Sequence, residues 1–159
     1  MGPDFDPSVD RDIRIQVDLA GTSAFFRLLS DPTRVRLVAL LEREELTVAE
    51  MAAVTRLAQP RVSTHLAKLK ELDLVRDRRA GVSAYYRFNG DADAETLKLW
   101  HALRAATDDA LLHDDAKRLS GVLAKRAQRH NWADTVAGDM ERHYSPGRTW
   151  EATLRGLLG

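Results

Sequence analysis

Apolar residues recur at helical spacing from Arg14 to Leu29 (Ile15, Leu19, Phe25, Phe26, Leu28, Leu29), and this predicts a first helix that Gly21 weakens in the middle. Ser30-Asp31-Pro32 ends it and starts another, because Asp or Ser can cap free amides and Pro suits a first helical turn. The second helix runs from Pro32 to Arg43 with Val35, Val38 and Leu41 inward. Thr47, with Glu50 three residues on, is a capping box that opens a third helix with Val48, Met51, Ala52 and Val54 apolar. After a break over Thr55 to Ala58, Gln59 to Leu72 is helical again, with Val62, Leu66 and Leu69 on one stripe.

The period then changes. Leu74 to Arg79 and Val82 to Phe88 are β-prone runs around Ala80-Gly81, which predicts a hairpin with Arg78 and Arg79 near its tip. From Ala92 the chain reads as helix again, with Leu97, Trp100, Leu103, Leu111 and Leu112 on an apolar side and a break near Ser120-Gly121 before it ends at Arg129. Trp150 to Leu158 is expected to form one short helix. The organisation expected is a flexible arm over 1–13, a main domain over 14–119 and a helical extension over 120–159.

Composition narrows the function classes. The 159 residues contain no cysteine, which removes disulfides, thiolate metal sites and cysteine nucleophiles; a cytoplasmic protein is the expectation. No apolar run reaches the ~18 residues of a membrane span. The 24 basic and 24 acidic side chains cancel, yet their distribution is uneven. Residues 56–87 hold 8 basic and 3 acidic side chains, whereas 1–45 hold 6 and 9, and 88–119 hold 4 and 7. Positive charge is therefore concentrated on the fourth helix and the hairpin.

With Val62, Leu66 and Leu69 inward, the outward arc of the fourth helix carries Pro60, Arg61, Thr64, Ala67, Lys68 and Glu71. Arg61 can offer a bidentate fork to a guanine edge, and Gln59, Ser63 and Thr64 can read bases or bind phosphate near the helix N-terminus. Arg78 and Arg79 suit the adjacent DNA backbone or minor groove. A lone charge run is usually a solvated face. Here helix, short turn, basic helix and Arg-tipped hairpin occur in order, the layout of a winged helix-turn-helix.

These residues also resemble a known family. The run Phe26-Arg27-Leu28-Leu29-Ser30-Asp31-Pro32-Thr33-Arg34-Val35-Arg36-Leu37 is similar to the opening signature of ArsR-type repressors. Glu45 to Met51 resembles their third helix, Gln59 to Leu66 their recognition helix, and Leu74 to Tyr86 their wing. The resemblance implies a mainly α fold with a β-hairpin wing. It further implies a transcriptional repressor, not an enzyme, acting as a homodimer on a palindromic double-stranded operator, with an unidentified small-molecule effector as a further candidate partner. Candidate DNA-binding residues are Gln59, Pro60, Arg61, Ser63, Thr64, His65, Lys68, Arg78 and Arg79. Candidate dimer residues, on the first and last core helices, are Leu19, Phe25, Phe26, Leu97, Trp100, Leu103 and Leu111.

Two departures from the family matter. Metal-sensing members carry Cys-Val-Cys where this chain has Thr47-Val48-Ala49, and other members bind zinc through Asp and His on the last helix. His101, Asp108, Asp109, His113 and Asp114 lie in that region without the characteristic spacing, so solvated or packed histidines are expected rather than a metal site. His65 reads as DNA-facing or partly packed; His130 and His143 receive no role. The tail, Leu123 to Arg126 and His143 to Glu151, resembles the linker of proteins that fuse an ArsR-type domain to an S-adenosylmethionine-dependent methyltransferase. The alternative reading is thus a regulatory N-terminal fragment of such a fusion, but no glycine-rich nucleotide loop is present and no cofactor is expected. A module that docks a partner helix through the wing and tail is a third reading.

Overall fold

The computed structural model describes residues 18–143. The expected arm over 1–13, Ile15, the loop Tyr144 to Gly147 and the short helix over 150–158 lie outside the described residues. The elements, in order, are α1 (Leu19–Leu29), α2 (Pro32–Leu41), α3 (Val48–Thr55), α4 (Gln59–Glu71), β1 (Val75–Ala80), β2 (Ser83–Phe88), α5 (Ala94–Ala106) and α6 (Ala110–His143). The result is mainly helical with one two-stranded antiparallel sheet, a winged helix-turn-helix. The chain divides into two compact units between Leu119 and Ser120.

Local chemistry explains the first junctions. Asp31 stands in extended conformation before α2 and accepts the Thr33 amide at 2.8 Å, while Pro32 occupies the first helical turn. The Arg34 side chain reaches back and donates to the carbonyls of Leu28 and Arg27 at the end of α1. One short run thereby closes one helix and opens the next. Ahead of α3, Thr47 Oγ1 accepts the Glu50 amide at 3.2 Å and Glu50 accepts the Thr47 amide at 2.9 Å, the reciprocal pair expected of a capping box. Arg56 then takes a left-handed conformation (φ 59°), the strained step that turns α3 toward α4 within three residues.

The first unit's core draws on nearly every element. Leu37, Val38, Leu46, Met51, Val54, Val62, Leu69, Leu74 and Trp100 are wholly inaccessible to solvent. Burying each such aliphatic side chain contributes roughly 1.5–3 kcal/mol. Trp100 packs on Phe88 with ring centroids 6.2 Å apart, joining α5 to β2. Buried Asn89 ties the base of the wing to the end of α4: its side-chain amide donates to the Asp73 carbonyl at 2.7 Å and its Oδ1 accepts the Asp91 amide at 3.1 Å.

Two expectations require correction. The hairpin's two central residues are Gly81 and Val82 rather than Ala80-Gly81, because Ala80 pairs with Ser83 and the positive φ (60°) falls at Gly81, the first central position, as in a type II′ turn. At its other end the hairpin is joined by Leu46, which exchanges backbone hydrogen bonds with Tyr86 at 3.0 and 2.9 Å. The helix expected from Ala92 onward breaks at Thr107 to Asp109 and continues through Ser120-Gly121. Thr107 is extended, and Asp109 restarts the helix by accepting the Leu111 amide at 2.8 Å. A single interior glycine costs only about 1 kcal/mol, less than a ready cap can outweigh.

The second unit's described part is the remainder of α6, where Trp132 and Met140 are exposed. Lys125, Gln128, Arg129 and Trp132 line a shallow recess along it.

Candidate nucleic-acid interface

Helix α4 buries Val62, Leu66 and Leu69 and exposes the opposite arc. Gln59, Pro60, Arg61, Ser63, Thr64 and Lys68 all lie on the exposed side, within two and a half turns. The N-terminus of α4 follows Ala58 and has no side-chain cap, so its dipole end faces outward beside Arg61. Thr64 commits its hydroxyl hydrogen to the Pro60 carbonyl at 2.9 Å, which leaves its oxygen as an acceptor.

His65 sits differently. Its side chain is only 12% exposed and its Nδ1, buried without a hydrogen-bond partner among the described residues, stands 3.8 Å from the Asp31 carboxylate. Burial holds its imidazole below the ordinary value, with Arg34, Arg61 and Lys68 pushing the same way against the attraction of Asp31. His65 is therefore a neutral strut between α4 and the start of α2 more than a free surface donor.

On the wing the two arginines separate. Arg78 is held by Glu45 at 2.6 Å and lies over the Tyr85 ring, 5.1 Å from its centroid. Arg79 is exposed one position nearer the turn, opposite Ala84. Lys70 pairs with Asp77 at 2.6 Å and Arg76 with Asp73 at 3.2 Å. Pairing thus quenches part of the basic cluster, and Arg56, Arg61, Lys68, Arg79 and Arg87 are its exposed cations without an ion pair among the described residues, of which Arg61 and Lys68 lie on the outward arc of α4 and Arg79 nearest the wing's turn.

The candidate dimer residues also divide. Leu19, Phe26 and Leu111 are 83, 53 and 51% exposed, and Leu97 and Leu103 are half-buried. Phe25 and Trp100 are 5 and 0% exposed, which corrects their assignment to a contact surface. Both sit on the inward stripe of their helices, where the subunit's own core consumes their area; helical spacing alone cannot tell core from interface.

The histidines of the last helices have local partners, His101 with Glu42 at 3.5 Å and His113 with Asp108 at 2.8 Å. Among the described residues no group of three or more potential ligands is placed to hold a metal ion. No described helix is long and apolar enough to cross a membrane.

Sequence reasoning missed one polar cluster altogether. Buried Asp115 on α6 accepts Arg36 Nε at 2.7 Å and a terminal nitrogen at 2.8 Å, and also Arg118 at 2.6 Å. Arg36 further donates to the Thr55 carbonyl at 3.0 Å, and Arg118 to the Val54 carbonyl at 2.6 Å. The pairing spans 79 residues of sequence, so no local pattern announces it.

Known proteins are similar to this chain. Residues 31–77 match the model of the family described as bacterial regulatory protein, arsR family. The "Probable mercury resistance operon repressor" of Streptomyces lividans is 37% identical over 100 residues, covering 63% of this chain and 78% of that protein. This chain belongs to the ArsR family. Another ArsR relative, the arsenic resistance transcriptional regulator ArsR1 of Pseudomonas putida, is 45% identical over 65 residues, 40% of this chain; the match spans about half of that protein, 51%. The solution structure of the homodimeric winged helix-turn-helix DNA-binding domain of a Mycobacterium bovis protein superposes with a TM-score of 0.50 at 25% identity, covering 71% of this chain and 95% of that one. These relatives are transcriptional regulators, and ArsR membership makes this chain a DNA-binding regulator by family.

Proposed function

We propose that this protein is a sequence-specific transcriptional repressor that binds a palindromic operator as a homodimer and carries no thiolate metal-sensing site. The observation that carries the reading is the exposed arc of α4, where Arg61 and Lys68 flank Gln59, Ser63 and Thr64 above a buried apolar stripe. Phosphate contacts from Lys68 and Arg79 supply affinity, and Arg61 with the polar side chains at the start of α4 chooses the sequence. His65 supports the helix from behind.

Homodimerisation is supported by Phe26, Leu19 and Leu111, large apolar side chains left in water by the single chain, and by the homodimeric Mycobacterium bovis relative. Two copies related by a two-fold axis present two α4 helices to successive major grooves, which is why the operator is expected to be palindromic. The named relatives are an arsenic resistance transcriptional regulator and a probable mercury resistance operon repressor, but the absence of any cysteine in these 159 residues removes the thiolate chemistry that soft metals favour. A small-molecule effector is accordingly a candidate relieving signal, and a thiophilic metal held by cysteines is not.

Mobility-shift titration against the promoter of its own gene tests the reading. Tight binding that weakens linearly in log affinity with log salt, and that is lost on a scrambled duplex, is the expected result. Binding indifferent to both salt and sequence sinks it.

A further inference from the structure

We propose that Asp115 is a positioning residue for DNA recognition: gripped by Arg36 and Arg118, it locks the carbonyl end of α3 and so sets the angle at which α4 meets the operator. The inference rests on the DNA-binding reading above and names a part of it that lies outside the helix-turn-helix itself.

An α-helix ends with carbonyls that its own backbone leaves unsatisfied, and its C-terminal dipole favours cations. At the end of α3 the Val54 carbonyl receives Arg118 and the Thr55 carbonyl receives Arg36, one guanidinium from α6 and one from α2. Both guanidiniums are largely withdrawn from water, with side chains 12 and 24% exposed, and both close on the same carboxylate, 2% exposed. Two cations so close and so dry repel unless an anion joins them. Asp115 is that anion, and it fixes where both may sit.

The linkage to the reading helix is short. Arg56 follows Thr55 in left-handed conformation, the Leu57 amide donates back to the Ala52 carbonyl at 3.2 Å, and α4 begins at Gln59. With so few residues between, a displacement at Thr55 reaches Gln59 and Arg61 nearly undamped. Stability is a poor explanation for the cluster. Replacing a buried ion pair by apolar groups is often neutral or better, and α3 and α4 already share the buried side chains Met51, Val54, Val62 and Leu66. Apolar contacts are non-directional, whereas three charge-assisted hydrogen bonds to one carboxylate define an orientation.

The test compares the full chain with its Asp115→Asn, Arg118→Gln and Arg118→Lys variants. Affinity is measured for the wild-type operator fragment and for a random duplex of equal length at one salt concentration, with thermal melting and sedimentation as controls. Asp115→Asn and Arg118→Gln are expected to weaken operator binding about tenfold, a single mismatch's worth, while random-duplex affinity stays within about twofold. Arg118→Lys, which keeps a cationic donor, is expected to recover most of the loss. Should Asp115→Asn fail to fold, Arg118→Gln decides alone, since it leaves the Arg36–Asp115 pair in place. An unchanged ratio of operator to random affinity in folded Arg118→Gln, or equal losses on both duplexes, overturns the proposal. A wild-type protein without sequence preference instead overturns the DNA reading on which it rests.

Discussion

The guanidinium of Arg78 lies 2.6 Å from the carboxylate of Glu45, so the wing is pinned to the loop that precedes α3. Both Arg78 and its neighbour Arg79 are exposed, but Arg78 is already engaged by a carboxylate of the protein, whereas Arg79 has no ion pair among the described residues. The two adjacent arginines are expected to behave differently on DNA. Arg79→Ala should reduce the salt slope of binding by about 0.9, the loss of one phosphate contact, on operator and random duplex alike. Arg78→Ala should change the slope by much less. Titrations across a range of salt concentrations read both, and equal slope changes would refute the division of labour.

Arg61 occupies the first turn of the exposed arc of α4, where a bidentate fork can meet a base edge. Arg61→Ala should cost about 1–3 kcal/mol on the operator and relax preference at one base position per half-site. Competition binding against single-position operator variants checks this. A uniform loss at every sequence would reassign Arg61 to phosphate.

Phe26 and Trp100 should separate association from folding. Trp100 is wholly buried, and Trp100→Ala is expected to cost about 3–5 kcal/mol by leaving a cavity. Phe26 is more than half exposed, so Phe26→Ser should leave secondary structure intact and move the protein from dimer to monomer in sedimentation. Dimers that persist in Phe26→Ser and in Leu111→Ser would place the interface elsewhere.

The capping box at α3 offers a purely local test. Thr47→Ala removes the acceptor of the Glu50 amide and should destabilise the protein by about 1 kcal/mol, read as a lowered melting temperature. Thr47→Ser, which keeps the hydroxyl, should restore most of it.

Acid should loosen the strut between α4 and α2. The imidazole of His65 is held below 6.5 chiefly by burial, so the unfolded chain binds its proton more readily than the folded one. The stability it contributes is complete above pH 6.5 and is lost as the pH falls through the lowered folded value. Asp31 titrates below its ordinary 3.8, burial notwithstanding, because the Thr33 amide, His65 and Arg34 favour the carboxylate, so it protects the same junction until the pH falls further. His65→Gln should flatten the pH dependence of the melting temperature just below 6.5. A wild-type melting temperature that is flat there would mean that His65 is not desolvated.

Elements whose cause is local were legible in the chain. Asp31-Pro32, Thr47 with Glu50, and the stripe Val62, Leu66, Leu69 place three helices, because caps and amphipathic periodicity act over a few residues. The break at Thr107 to Asp109 was misplaced because a helix-interior glycine looks like a stop, whereas an Asp cap that starts a new helix looks like one more exposed acid. Phe25 and Trp100 were misassigned for a related reason: an apolar residue at helical spacing declares that it will be covered, not by what.

The sequence by itself determined the order of elements, the family, and the concentration of basic charge on α4 and the wing, since each follows from residue type and short-range spacing. Tertiary structure decided which of those charges are paired within the protein. Glu45 takes Arg78 and Asp77 takes Lys70, and in both pairs the two side chains converge only once elements distinct in space have packed. Coulombic partnership depends on distance through space, and a linear chain does not contain that distance until the apolar core has brought its elements together.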